Sequence, residues 1–203
     1  MTALMCDSTG SELLIILKHN DEVYKECFTG KTGHSPLIMS LVDSVLKRAG
    51  IKVDDVDVFA ACVGPGSFTG IRIGAVTVKT LCYALGKRAK AVVCNRMLAG
   101  NRGGKVLSVV YGWADMYYVA EYEDGKQLFA PAAMKKSEVD ALILEKADSL
   151  LVTDERSHAA FGGELANERE CMRLAAETGE YIDGDKLEPL YAMLSQAERE
   201  LKK

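Results

Sequence analysis

The chain of 203 residues is 48% hydrophobic and 27% charged, with a formal net charge of −4. That balance supports a globular core in one large domain or two small ones, and it lacks the basic excess that direct nucleic-acid binding requires. Its six cysteines form no CxxC pair and mostly sit in apolar runs, so reduced packing residues are expected rather than a disulfide framework or zinc site.

No apolar run approaches the ~20 residues of a membrane span, and no charged-then-apolar leader opens the chain. A soluble, cytoplasmic protein without a membrane partner is therefore expected. From the first residue onward, "TALMCDS" and "ELLIILK" are apolar runs separated by Ser8-Thr9-Gly10, which predicts a hairpin. "EVYKECF" alternates apolar and charged residues and predicts a third antiparallel strand. "HSPLIMSLVDSVLKRAG" follows as a helix, with Ser35 as N-cap, Pro36 in the first helical position and Gly50 just past the end. "VDVFAACVG" is apolar throughout, as a strand at a sheet centre is. A helix from Ser67 to Gly86 and the strand "KAVVC" complete this half.

The order β-β-β-α-β-α-β predicts an α/β, ribonuclease-H-like domain of the actin/Hsp70 ATPase superfamily over residues 1–100. The polar, glycine-rich "GNRGG" marks a boundary. Residues 101–203 then begin again with strands, "KVLSVVYG", "DMYYVAEYE" and, after the turn "EDGK", "QLFAP". A helix from Ser137 to about Ala147, the strand "SLLVTD", a helix near 164–178 and a terminal helix from about Glu188 are expected next. A smaller, abbreviated domain of the same type is the reading.

"VGPGSFTGIRIG", residues 63–74, invites comparison with phosphate-holding loops. The dinucleotide fingerprint fails: the third glycine comes one residue late, Pro65 separates the first two, and no acidic residue ends a second parallel strand ~20 residues on. A Walker loop fails because no Gly-Lys-Ser/Thr closes it. A structural loop fits better. Gly64, Pro65 and Gly66 make the strand-to-helix turn, Ser67 caps the helix, and Gly70 and Gly74 let the helix axis approach the sheet.

On the helical wheel Gly70, Ile71, Gly74, Ala75, Val78, Leu81, Cys82 and Leu85 share one side of this second helix. Arg72, Ile73, Val76, Lys79, Thr80 and Tyr83 share the other, a mixture suited either to a protein partner or to an ordinary solvated face. In the first helix Leu37, Ile38, Met39, Leu41, Val42, Val45, Leu46 and Ala49 spread over roughly 200° of the circumference, more than one sheet covers. A neighbouring helix of the same chain, another protein, or both must take the surplus. The candidate partner-binding set is Leu37, Ile38, Leu41, Val45, Arg72, Ile73, Val76, Lys79, Thr80 and Tyr83.

"GPGSFTGIRIG" closely resembles the TsaB (YeaZ) family, as do "CDSTG" after the first strand, His34-Ser35 followed by Leu37 and Ile38, "VLSVVYGWADMYYVAEY" and the ending "EPLYAMLSQAEREL". The resemblance covers most of the chain, and the 64–74 loop is its most specific part. It implies a catalytically silent relative of TsaD, the enzyme that makes threonylcarbamoyladenosine (t6A) at position 37 of tRNAs reading ANN codons. It further implies pairing with TsaD through the two N-terminal helices, association with the ATPase TsaE, self-pairing as a homodimer through the same surface, and only indirect contact with tRNA. No cofactor of its own is implied, although a nucleotide at the junction with TsaD is compatible with the resemblance.

TsaD relatives bind a metal through H-x-x-x-H, two imidazoles one helical turn apart; here His34 is followed four residues later by Ile38. No metal site and no catalytic residue is therefore expected. Asp7 ends the first strand, where ATPase relatives place a carboxylate for Mg²⁺ and phosphate, and a simple turn carboxylate is the competing reading. The alternative function is a stand-alone ATP-dependent phosphotransferase or glycoprotease-like hydrolase of the same superfamily. The chain departs from the family where Tyr111 and Gly112 replace the usual Asp-Ala, where "NRMLAGNRGG" is shorter than the usual helix, and where Met193 or Leu194 replaces an arginine. These changes put contacts made by the second domain in doubt.

Overall fold

The computed structural model describes residues 1–30, 33–166 and 180–192. The first half is β1 (Ala3–Asp7), β2 (Glu12–His19), β3 (Glu22–Thr29), α1 (Ile38–Ala49), β4 (Val58–Gly64), α2 (Phe68–Leu85), β5 (Arg88–Val93) and α3 (Cys94–Ala99). The second is β6 (Lys105–Trp113), β7 (Met116–Glu123), β8 (Lys126–Lys135), α4 (Lys136–Glu145), β9 (Leu150–Thr153), α5 (Glu155–Phe161) and β10 (Glu164–Leu165), with β11 (Ile182–Asp183) last.

The first sheet has the order β11-β5-β4-β1-β2-β3. β1 pairs antiparallel with β2 and parallel with β4, and β4 pairs parallel with β5. The second sheet, β10-β9-β6-β7-β8, repeats the arrangement: β6 runs antiparallel to β7 and parallel to β9, and β9 runs parallel to β10. The fold is thus α/β and ribonuclease-H-like, with one strand order used twice. Two crossover helices per half are what the parallel pairs demand, since a parallel connection cannot be a hairpin.

The strand alternation decides which layer each side chain enters. Leu4, Leu13, Ile15, Leu17, Phe59 and Ala61 pack with α1 and α2 on one face of the first sheet. Met5, Leu14, Ile16, Ala60 and Cys62 point the other way, toward α3 and the second sheet's Val106, Val110, Tyr118 and Ala120. The outer face of the second sheet, with Leu107, Val109, Tyr117 and Val119, carries α4 and α5. Buried on both faces, β1 and β4 have no polar alternation, as their sequences require. Asn95 ties α3 to the second sheet by donating its amide to the Ser108 and Tyr118 carbonyls at 3.1 and 3.0 Å.

Several boundaries differ from the sequence reading. Helix α1 begins at Ile38, not at Ser35: the His34 carbonyl accepts from both Leu37 and Ile38 at 3.1 Å, so 34–37 forms a turn outside the helix and Ser35 does not cap it. β8 continues through Pro131, which an edge strand tolerates. α3 and α5 are additional helices; Asp154 starts α5 by accepting from the Ser157 amide at 2.8 Å. The helix expected near 164–178 opens as a strand at Glu164–Leu165, and its remainder lies outside the described residues. Of the expected terminal helix, residues 188–192 are not helical and the rest lies outside the described residues. Among the described residues no helix is long and apolar enough to cross a membrane.

Residues 180–192 return to the first sheet as a strap over α2. Ile182 pairs antiparallel with Ala89. Leu187 is fully buried, and the Leu190 amide donates to the Val63 carbonyl at 2.8 Å.

Candidate functional site

The segment 63–74 is built around close backbone approach. A Cβ on Gly66 would lie 2.6 Å from the Thr9 carbonyl oxygen, and one on Gly64, at φ +115°, would lie 2.6 Å from that of Leu190. A Cβ on Gly70 would overlap the Ser8 carbonyl oxygen outright. The Ser67 amide donates to the Thr9 carbonyl at 2.6 Å, Ser67 Oγ accepts from the Gly70 amide at 3.2 Å, and Ser8 Oγ donates to the Gly70 carbonyl at 2.7 Å. The Gly64–Pro65 peptide is cis. The start of α2 is thereby seated on the β1–β2 turn, which takes the Ser67 amide and packs against Gly66 and Gly70.

Asp7 is committed to the same turn. Its Oδ1 accepts from the Thr9 amide at 2.8 Å and the Thr9 hydroxyl at 2.6 Å. The equivalent turn of the second sheet, between β6 and β7, is filled by aromatics. Tyr111 meets Tyr117 edge-on at 5.7 Å, the Arg156 guanidinium covers the Tyr111 ring at 5.0 Å, and the Tyr111 amide donates to Asp154. Among the described residues no group of three His, Cys, Asp or Glu side chains could hold a metal.

The outer faces of the helices are mixed. α1 buries Ile38, Val42, Val45 and Leu46 in the chain's own core. Two members of the candidate partner set therefore point inward: Ile38 is 4% exposed and Val45 not at all. The reason is that α1 crosses β2 and β3 with Ile38, Val42 and Val45 in one stripe, so these positions serve the sheet and not a partner. Leu37 and Leu41 are half-buried at its edge, and Met39 is exposed.

α2 buries Gly70, Ile71, Gly74, Ala75, Val78 and Cys82, with Leu81 and Leu85 half-buried. On its other side two more candidates are engaged by the strap. Arg72 donates to the Tyr191 hydroxyl at 2.9 Å and lies over the Phe68 ring, which itself stacks on Tyr191 with centroids 4.3 Å apart. Lys79 donates to the Asp185 carbonyl at 2.9 Å. Arg72 remains exposed despite these contacts, and the outward positions beyond these strap contacts are Ile73 (half-buried), Val76 at 60% exposure, Thr80, and Tyr83 at 92%. Ile73, Val76, Thr80 and Tyr83 recur every three to four residues, a continuous stripe along the helix. Phe68, Leu187 and Tyr191 were not in the candidate set; the conspicuous "EPLY" was the only signal for the strap.

Burial pushes the Cys6 thiol up to about 12 and the Cys82 thiol to about 11, so both stay protonated packing residues at neutral pH. Cys27 differs from the expectation for the cysteines, lying exposed on the edge strand β3.

Residues 29–168 match the family model of TsaD, tRNA N6-adenosine threonylcarbamoyltransferase. Among curated relatives, the TsaB threonylcarbamoyladenosine biosynthesis protein of Bacillus subtilis is 36% identical over 102 residues, covering 50% of this chain and 44% of the relative. That of Buchnera aphidicola is 23% identical over 170 residues, covering 79% of this chain and 74% of its own length. The match thus spans less than half of the first of these relatives. The solved YeaZ from Pseudomonas aeruginosa superposes with a TM-score of 0.75 at 21% identity, covering 94% of this chain and 99% of that one, which bears on the fold alone.

Proposed function

The chain belongs to the family of TsaD and its TsaB (YeaZ) relatives, and on that premise we propose that it is the non-catalytic partner subunit in t6A formation at position 37 of ANN-decoding tRNAs. It acts by binding and activating TsaD, with TsaE joining the assembly. The docking face is the outward stripe of α2, Ile73, Val76, Thr80 and Tyr83, with Leu37, Leu41 and Met39 of α1, the other helix on that face of the first sheet, as its further members.

The observation that carries the proposal is the exposure of Val76 and Tyr83 beside a helix start that is itself closed. An aliphatic and an aromatic held out on a rigid two-faced helix have the composition of an interface core. The commitment of Asp7 to Thr9 and the seating of α2 on the β1–β2 turn support a subunit without catalysis of its own. A nucleotide, where one is used, belongs at the junction with TsaD. The same stripe serves self-pairing when TsaD is absent, and tRNA is reached through the partners.

The test is reconstitution of tRNA modification from this chain, its organism's TsaD and TsaE, leaving out each in turn. The reading requires loss of modification whenever this chain is withheld, and no turnover of Mg·ATP by the chain alone. Full modification without it, or ATP turnover by the isolated chain, would overturn the proposal in favour of a stand-alone phosphotransferase.

A further inference from the structure

Behind the β1–β2 turn, two cysteines that are far apart in sequence meet. Cys62, in β4, and Cys94, opening α3, have their sulfurs 3.0 Å apart although 32 positions separate them along the chain. Cys62 is fully buried and Cys94 3% exposed. Thr9 Oγ1 lies 3.3 Å from the Cys94 sulfur while giving its own proton to Asp7. The two sulfurs therefore face each other inside the apolar layer between the sheets, among Met5, Ala60 and Val92, with the Thr9 hydroxyl as a polar neighbour.

Two readings of such a pair can be separated by distance. Thiolates sharing one tetrahedral zinc at ~2.3 Å each stand ~3.8 Å apart and need further ligands. Here the sulfurs are closer than that, and no third His, Cys, Asp or Glu among the described residues completes a metal site. A disulfide needs the sulfurs to close by about another 1 Å.

We propose that Cys62 and Cys94 are a redox pair that closes to a disulfide when a peroxide reaches it. One thiol, as thiolate, takes an oxygen atom from the peroxide; with its released proton the remaining oxygen leaves as water. The sulfenic acid so formed condenses with the second thiol, its hydroxyl and that thiol's proton leaving as a second water while the S–S bond forms. Two electrons leave the sulfurs and reduce the peroxide. The new bond staples β4 to α3 and encloses the whole of α2 in one covalent loop, so the stripe-bearing helix is held between fixed ends.

The hydrogen bond to Cys94, burial and the neighbouring Asp7 carboxylate raise the Cys62 thiol well above the ordinary range, so its thiolate is scarce at neutral pH and closure accelerates as pH rises. Among the described residues the exposed Cys27 is the competing thiol; it is removed for the test as Cys27→Ser, and Cys171, outside the described residues, as Cys171→Ser in the same chain.

The experiment treats the full chain carrying Cys27→Ser and Cys171→Ser with hydrogen peroxide, unfolds it, alkylates free thiols and maps the peptides before and after reduction. The expected result is that Cys62 and Cys94 together escape alkylation, appear as one linked peptide pair lacking two hydrogens, and become alkylatable after reduction. The apparent Tm rises on the order of 10 °C from the loop constraint. Adding Cys94→Ser leaves Cys62 free and removes the Tm rise. Continued alkylation of both cysteines, or oxidation of either to sulfinic acid without linkage, would overturn the proposal, and the mapping decides this without relying on the variant's folding.

Discussion

Ser8 and Gly70 hold each other through two contacts: the Ser8 hydroxyl donates to the Gly70 carbonyl at 2.7 Å, and the Ser8 carbonyl fills the space a Gly70 side chain would need. The first turn of α2 and the β1–β2 turn are thus one structural unit. A glycine motif that suggests ligand approach is instead occupied by the chain's own backbone.

Gly70→Ala should accordingly be among the most damaging single methyl additions in the protein. The obstacle is backbone at the centre of the fold, so relief requires moving α2 or β1, at a cost of about 3 kcal/mol or more. Gly74→Ala meets the Ser8 Oγ at 2.7 Å, with the Cys6 sulfur at 3.7 Å; turning that hydroxyl aside gives up its bond to the Gly70 carbonyl, for a smaller cost of about 1–2 kcal/mol. Urea unfolding of both variants checks the ordering; equal, small effects would mean that the two turns are not tightly coupled.

The strap makes a separate prediction. Tyr191→Ala removes the stack on Phe68 and the hydroxyl that accepts from Arg72, for an expected loss of about 1–2 kcal/mol. Leu187→Ala, emptying a fully buried site against α2, should cost about 2–4 kcal/mol. Amide exchange would show α2 losing protection in both variants while β6 and β7 keep theirs.

Glu26 on β3 holds the end of α1 by accepting from Arg48 at 2.8 Å and from Ser44 at 3.0 Å. Hydrogen bonds from Arg48 and Ser44 place its carboxyl below the ordinary 4.5. A pKa lowered by folding adds stability above the unfolded value, and that stability is lost as pH falls from 4.5 through the lower folded value. The pair is partly exposed, so its worth should stay below about 1 kcal/mol. Wild type and Glu26→Gln should differ in urea midpoint near neutral pH and converge in acid; a gap that persists in acid would assign the effect to packing.

Much of the first half was legible in the sequence because its signals are local. The all-apolar β4, the alternating β3, and the run from Ser67 to Gly86 with small residues on one side each constrain one element. The outward positions Val76 and Tyr83 follow from helical period alone. Ile38 and Val45 were not separable from Leu37 and Leu41, because a wide apolar arc does not say which part meets the sheet. The strap contacts of Arg72 and Lys79 have a longer-range origin: their partners Tyr191 and Asp185 lie more than 100 positions away in a segment that period and composition do not reveal. The Cys62–Cys94 pair is invisible for the same reason, since the parallel pairing of β4 with β5, which brings the start of α3 beside β4, leaves no spacing rule to read.

The central claim concerns the stripe on α2, and the most direct measurement is sedimentation of this chain with its organism's TsaD, comparing wild type with Val76→Asp and Tyr83→Asp. Both side chains stand in solvent, so the variants should keep the wild-type Tm within about 2 °C. The account predicts a stable complex for wild type and a loss of affinity of at least tenfold for each variant, about 1.4 kcal/mol or more. Folded variants that bind TsaD as tightly as wild type would contradict it.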